Sequence, residues 1–144
     1  MSRYVPDSLT RSDRVKQRRY LNKSKNLYKK HKYFTRPEIP SFHSRPSRHV
    51  VKARKLYHVN KIVPSKQLSL KSGCSLKALK QIVRKGEGAY YSSGSRPSQT
   101  AQSWAFARLA SALTGGKSSK VDYSILKSGC DHTKTAFRLA KKGV

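Results

Sequence analysis

Acidic side chains are scarce in this sequence: six Asp and Glu stand against 33 Lys and Arg, a formal net charge of +27 over 144 residues. So large a surplus exceeds what solubility asks of a small domain, and in isolation it repels itself, so a polyanionic or acidic counter-surface is its natural complement. The shortage of carboxylates also weakens a catalytic reading. General acid–base chemistry needs at least one well-placed acid and commonly two, and Glu87, Asp122 and Asp131 stand apart in the sequence.

Cysteine is as rare. Cys74 and Cys130 are the only two, which excludes a disulfide-dense scaffold and makes a reduced intracellular protein with buried structural thiols the simplest expectation. Cys130 and His132 form a C-x-H pair, but with Cys74 as the only other soft ligand a zinc site lacks a fourth partner unless a remote histidine joins. An enzyme using Cys130 and His132 is therefore a distant third reading, and no metal or cofactor is expected. Long apolar runs are missing too. Nothing approaches the roughly 18 residues of a membrane span, and the N-terminal "MSRYVPDSLTRSDR" has no apolar core of a secretory signal. "TGGKSS" at 114–119 lacks the glycine a phosphate-binding P-loop requires four residues before Gly-Lys, since position 111 is serine.

What is present reads as helix. Residues 12–34 form a basic amphipathic segment: Ser12 suits the N-cap, Asp13 the first turn, and Tyr20, Leu21, Ser24, Leu27, Tyr28 and His31 share a face. Arg18, Arg19, Lys29 and Lys30 supply its cationic side. Residues 35–49 hold three prolines and no period, a linker running along a surface with Phe42 as its anchor. Residues 50–63 fit either helix or strand, with helix favoured through Leu56, Val59 and Val63.

The rest contains an echo: "LKSGC" stands at Leu70–Cys74 and again at Leu126–Cys130. Each copy leads into a basic helix ending in glycine, the first at Gly86 and the second at Gly143, with Ser75 and Asp131 as N-caps. A pseudo-symmetric helix pair packed on a central helix is the modest inference, and the equivalent cysteines leave a disulfide open. The central helix is Ala101–Leu113, capped by Ser98 or Thr100 and stopped by Thr114–Gly116; Trp104, Phe106, Leu109 and Leu113 are its expected core residues. Arg108 on that helix either reaches solvent or meets an acid, with Glu87 and Asp122 the candidates. In "GEGAYYSSGSRPSQT", Gly86–Thr100, the glycines permit tight turns, Tyr90 and Tyr91 offer rings to a core or a partner, and Arg96 near a helix start could hold an acidic side chain or a phosphate.

From Gly86 to Asp122 the sequence resembles an uncharacterised family of small basic proteins from large double-stranded DNA viruses of algae and amoebae. The resemblance rests on Gly86–Tyr91, Ser93–Pro97, Gln99–Thr100, Ser103–Trp104, Ala107–Ser111, Gly115–Gly116 and Val121–Asp122. It implies a minor capsid component beneath an icosahedral shell, on the inner face of the virion, and it implies no catalytic residues. The expectation is a mainly α protein, with a basic extended arm over 1–64 and a compact helical domain over 65–144. Its expected partners are the major capsid protein and other minor capsid proteins, with an anionic inner membrane or viral DNA as further counter-surfaces and no small-molecule substrate. The rival is a DNA-condensing protein: Tyr20, Tyr28, Tyr33 and Tyr57 lie among basic residues and could stack bases.

Overall fold

The computed structural model describes residues 3–143. Its order is α1 (Arg11–Lys29), α2 (Arg48–Tyr57), α3 (Lys66–Ser72), α4 (Leu76–Ser92), α5 (Ala101–Leu113), α6 (Lys117–Val121), α7 (Tyr123–Gly129) and α8 (Thr135–Lys142). Among the described residues there is no strand beyond one isolated bridge, so the fold is all-helical. Two compact units divide the chain: Met1–Arg45 with Glu87–Trp104, and Pro46–Gly86 with Ala105–Val144. Residues 1–64, expected as an arm, contribute to both units.

In the first unit, α1 begins two residues earlier than a Ser12 cap would place it. Thr10, not Ser12, is the cap, its hydroxyl accepting the Asp13 amide. The helix stops at Lys29 and does not reach Phe34, because His31 turns left-handed at φ 61°. His31 N then donates to Tyr28 O and Lys32 N to Leu27 O, the paired bonds of a Schellman stop with histidine in the usual glycine place. A small core of Val5, Leu9 and Ile39 is flanked by Tyr20, Leu21 and Phe42.

The second unit holds the larger core. From α5, Leu109, Ala110, Ala112 and Leu113 pack with Ala53, Tyr57, Leu68, Leu79, Ile82, Leu126, Phe137 and Ala140. The region at 50–63 is helical only to Tyr57; Leu56 is exposed, while Ala53 and Tyr57 face inward and Val59 and Ile62 follow in the loop. The Tyr57 hydroxyl donates to the Leu113 carbonyl, and burial pushes that phenol well above its ordinary pKa.

Two expected features are corrected here. Gly86 does not end a helix; α4 continues through it to Ser92, so Tyr90 and Tyr91 are helical, and the stop falls at Gly94 with φ 104°. Gly86 serves a different need: a Cβ there would lie 2.7 Å from Ala105 Cα, so the bare backbone is what lets α4 approach α5. Asp131 is not the cap of α8, which starts at Thr135; its carboxylate instead accepts the Thr133 amide and hydroxyl, which holds its pKa below the usual carboxylate range. Ser75 and Thr100 do cap their helices as expected, through Ala78 N and Ser103 N.

The sequence echo has a structural counterpart. Cys74 and Cys130 are joined in a disulfide, so the thiols first expected are oxidised here. The short segments flanking them run antiparallel: Ser75 N donates to Gly129 O at 2.8 Å and Asp131 N to Gly73 O at 2.7 Å. A shift of 56 residues turns one of these bonds into the other, so the junction has a local two-fold character. The equivalence ends there, since Leu126 is fully buried and Leu70 is 81% exposed.

Candidate polyanion-binding surface

The first unit is organised around a buried cation. Arg36, 5% exposed, donates from Nη1 to Ser24 Oγ at 2.8 Å and to Tyr90 O at 2.9 Å, and from Nη2 to Ser95 Oγ at 2.8 Å. Its own amide donates to the Tyr90 hydroxyl, which donates onward to Gln99 O, and its guanidinium lies 3.8 Å from the Tyr90 ring centroid. Among the described residues no carboxylate pairs with it. Neutral acceptors and a π-face stand in for a counter-ion, and desolvation holds its pKa below the usual guanidinium value. The inward face of α1 matches this polar interior: Asp13, Gln17 and Ser24 are its buried residues, not an apolar stripe. Gln17 Nε2 donates to Tyr4 O and Ser95 O.

Arg36 thus fastens the proline-rich segment to the end of α4, and Ile39 N adds a bond to Ser98 Oγ at 2.9 Å. Tyr90 is fully buried in this knot, so it is a structural residue and not a partner contact. Tyr91 is half-buried and leads outward. It stacks on Tyr28 at 6.0 Å with planes 13° apart and meets Tyr33 at 5.1 Å; Tyr33 is 70% exposed. Burial, then the neighbouring Tyr90, raises the Tyr91 pKa.

Around this ladder the cations point to solvent. Arg18, Arg19, Lys29 and Lys30, the candidate partner or anion contacts, are all exposed. Arg19 lies over Tyr20 and Lys23 over Phe34, at 5.8 and 4.6 Å from the ring centroids. Arg96 is exposed but leans over Trp104 at 5.7 Å, while Tyr4 meets the same indole edge-on. Trp104 and Phe106 are accordingly only half-buried, unlike Leu109 and Leu113, because the small alanines of α5 take the inner positions. Phe42 is half-buried against its own unit's core, so it anchors the segment internally.

In the second unit the scarce acid is spent inside. Asp122, fully buried, receives Arg108 Nε at 2.9 Å and Nη2 at 2.7 Å, with Lys85 Nζ at 3.0 Å from the same carboxylate. Asp122 is one of the two partners foreseen for Arg108. Glu87 instead accepts a long bond from Gln102.

Cys130 is bonded to Cys74 and His132 Nε2 sits 2.6 Å from Lys127 O, so the C-x-H pair holds no free thiol. Among the described residues, no cluster of three or more His, Cys, Asp or Glu could hold a metal, and no helix is long and apolar enough to cross a membrane. Arg36 was not legible as a key residue; a proline-flanked arginine in a linker carries no periodic signal.

Fold and surface together define a small all-helical cationic protein whose first unit has a polar interior built from arginine, serine and tyrosine. The chain belongs to a family of unknown function, DUF5824, whose model matches residues 2–131. No curated protein matches it, and no solved structure does.

Proposed function

We propose that this chain is a non-catalytic structural protein of a virion, a minor capsid component that cements neighbouring capsid proteins beneath the outer shell of a large icosahedral double-stranded DNA virus. One observation carries the reading. The cations vastly outnumber the acids, and among the described residues the ion pairs are Lys16–Asp13, Lys85–Asp122 and Arg108–Asp122. With so few internal counter-charges, the surplus is neutralised by something larger, and fixed acidic faces of neighbouring proteins do this with defined register. The resemblance between Gly86 and Asp122 supplies the setting. The exposed cations of α1 and the Tyr33–Tyr91–Tyr28 ladder are the surfaces that meet such neighbours.

The test is fractionation of purified particles after the genome is released. A cement protein stays with the shell at a fixed ratio to the major capsid protein, and resolved density places it at icosahedrally repeated positions. Its departure with the DNA sinks the reading.

A second reading, a non-specific DNA-binding virion protein, is favoured by one observation: the exposed Tyr33 follows the exposed Lys29, Lys30 and Lys32 within four residues of sequence, a combination of ring and cations that stacks bases and grips phosphates. It predicts affinity for DNA that falls steeply with salt and drops on Tyr33→Ala.

A further inference from the structure

We infer that the outer face of α8 is a docking site for an acidic, amphipathic helical segment of a partner protein; this deepens the cement reading by naming one of its contacts. α8 is two-faced. Ala136, Phe137 and Ala140 are buried in the core, while Thr135, Arg138, Leu139 and Lys142 recur at the i, i+3, i+4, i+7 spacing on the side left open. That side forms an open cleft of about 550 Å³, lined by His132, Thr135, Arg138, Leu139, Lys141 and Lys142.

The cleft is shaped before anything enters it. The His132 ring stacks on Phe137 at 4.0 Å with planes 13° apart, and its Nε2 is fixed at Lys127 O. Leu139 is backed by Gly115, where a Cβ would come within 3.2 Å of the leucine Cβ, so the apolar floor is held from behind. Asp131, the nearest acid in sequence, is tied to Thr133 and does not line the cleft.

The composition selects the occupant. Arg138, Lys141 and Lys142 call for negative charge, and none of the lining residues supplies it. A bare phosphodiester chain would use those cations but leave Leu139 and the His132 edge uncovered. A helix with a leucine-type stripe flanked by Glu or Asp uses both, in the helix-in-groove manner. The helical lining from Thr135 to Lys142 spans about 10 Å at helical rise, about two turns of a partner helix, and the cleft is too open to enclose a small metabolite.

The experiment uses the full chain and three labelled probes in fluorescence anisotropy: an 18-residue Glu/Leu amphipathic peptide, polyglutamate of equal charge, and a 20-base-pair duplex. The amphipathic peptide should bind about tenfold more tightly than polyglutamate, and the exposed-site double variant R138E/K142E should lose about tenfold of that affinity. Leu139→Ser, checked for an unchanged melting temperature, should remove the preference over polyglutamate. The control K52E/K55E, two exposed lysines of α2 that do not line the cleft, should leave peptide affinity within about twofold. Equal affinity for both peptides, or equal losses from the two double variants, overturns the site. Tightest binding of the duplex, lost on R138E/K142E, overturns the choice of occupant. Because this assay involves no virion, a protein that departs with the genome can still bind the peptide, and the two readings fail separately.

Discussion

Removing Asp122 tests how the second unit tolerates cations in its interior. The carboxylate is fully enclosed, Arg108 is 18% exposed and bidentate to it, and Lys85 is 48% exposed. Lys85 loses little when the acid goes, because its half-exposed ammonium turns to water, which holds its own share of the pair to about 1 kcal/mol or less. Arg108 has less freedom, and stripping a buried pair of one member costs about 3–5 kcal/mol. That is a large share of the roughly 5–15 kcal/mol total stability typical of such a chain. Asp122→Ala and Arg108→Ala should each lower stability by about 3–5 kcal/mol, and Lys85→Ala by less than about 1 kcal/mol. The double variant should be milder than the sum of the singles by up to about 3 kcal/mol, since each single leaves an orphaned charge that the other removes. In urea, with a slope of about 2 kcal/mol/M, each damaging single moves the midpoint down by about 1.5–2.5 M. Far-UV circular dichroism follows the helices directly. Singles that cost under about 1 kcal/mol, or that add without coupling, would refute the claim that Asp122 is the internal counter-ion.

Three further perturbations probe other features. Replacing Cys74 and Cys130 by serine opens a loop with a sequence separation of 56, and chain entropy puts the loss near 4 kcal/mol; a melting temperature unmoved by reductant would contradict it. Gly86→Val drives a Cβ onto the Ala105 backbone and should cost about 1–3 kcal/mol or more, whereas Gly88→Ala, with only the Tyr28 hydroxyl at 3.7 Å, should be neutral or stabilising by up to about 1 kcal/mol; equal effects in urea would deny the close crossing. Asp13 accepts the Ser41 amide at 2.9 Å and its pKa is lowered below 3.8, so its stabilisation is present above the unfolded-state value and fades as pH falls through the folded one. Asp13→Asn should therefore flatten the acid limb of the stability–pH profile below about pH 4 and leave its alkaline limb alone.

The helices were legible where side chains repeat at 3.6 residues and a hydroxyl precedes them, as in α5 with Thr100 and α4 with Ser75. Their ends were less so. Gly86 looked like a stop because glycine favours left-handed caps, yet the same lack of a Cβ also permits a close helix crossing, and only tertiary packing distinguishes the two uses. The Schellman turn at His31 was hidden for the opposite reason, since a non-glycine residue occupies the left-handed position. Core assignment on α5 followed residue size and so favoured Trp104 and Phe106, but close approach of helices rewards alanine, leaving the aromatics at the margin. The candidate contacts Arg18, Arg19, Lys29 and Lys30 all lie at the surface of the first unit. Arg36 escaped notice because burying a guanidinium against hydroxyls, carbonyls and one ring leaves no partner charge in the sequence to betray it.

The placement of the acids bears on function as much as their number does. Asp13 fixes Ser41 near the start of α1, Asp122 neutralises Arg108 inside the second unit, and Asp131 shapes the turn before α8. Half of the six carboxylates are thus committed to local architecture. A protein balanced for life alone would scatter acids among its surface lysines to relieve repulsion. Here α1 carries Arg18, Arg19, Lys23, Lys25 and Lys29 outward with no acid in its last three turns. Such a face gains free energy when an acidic partner arrives, because repulsion among its own cations is relieved together with the new attraction. Burying Arg36 without an acid follows the same logic. The fold positions that cation with hydroxyls, carbonyls and a tyrosine ring, and needs no carboxylate from its small supply to do so.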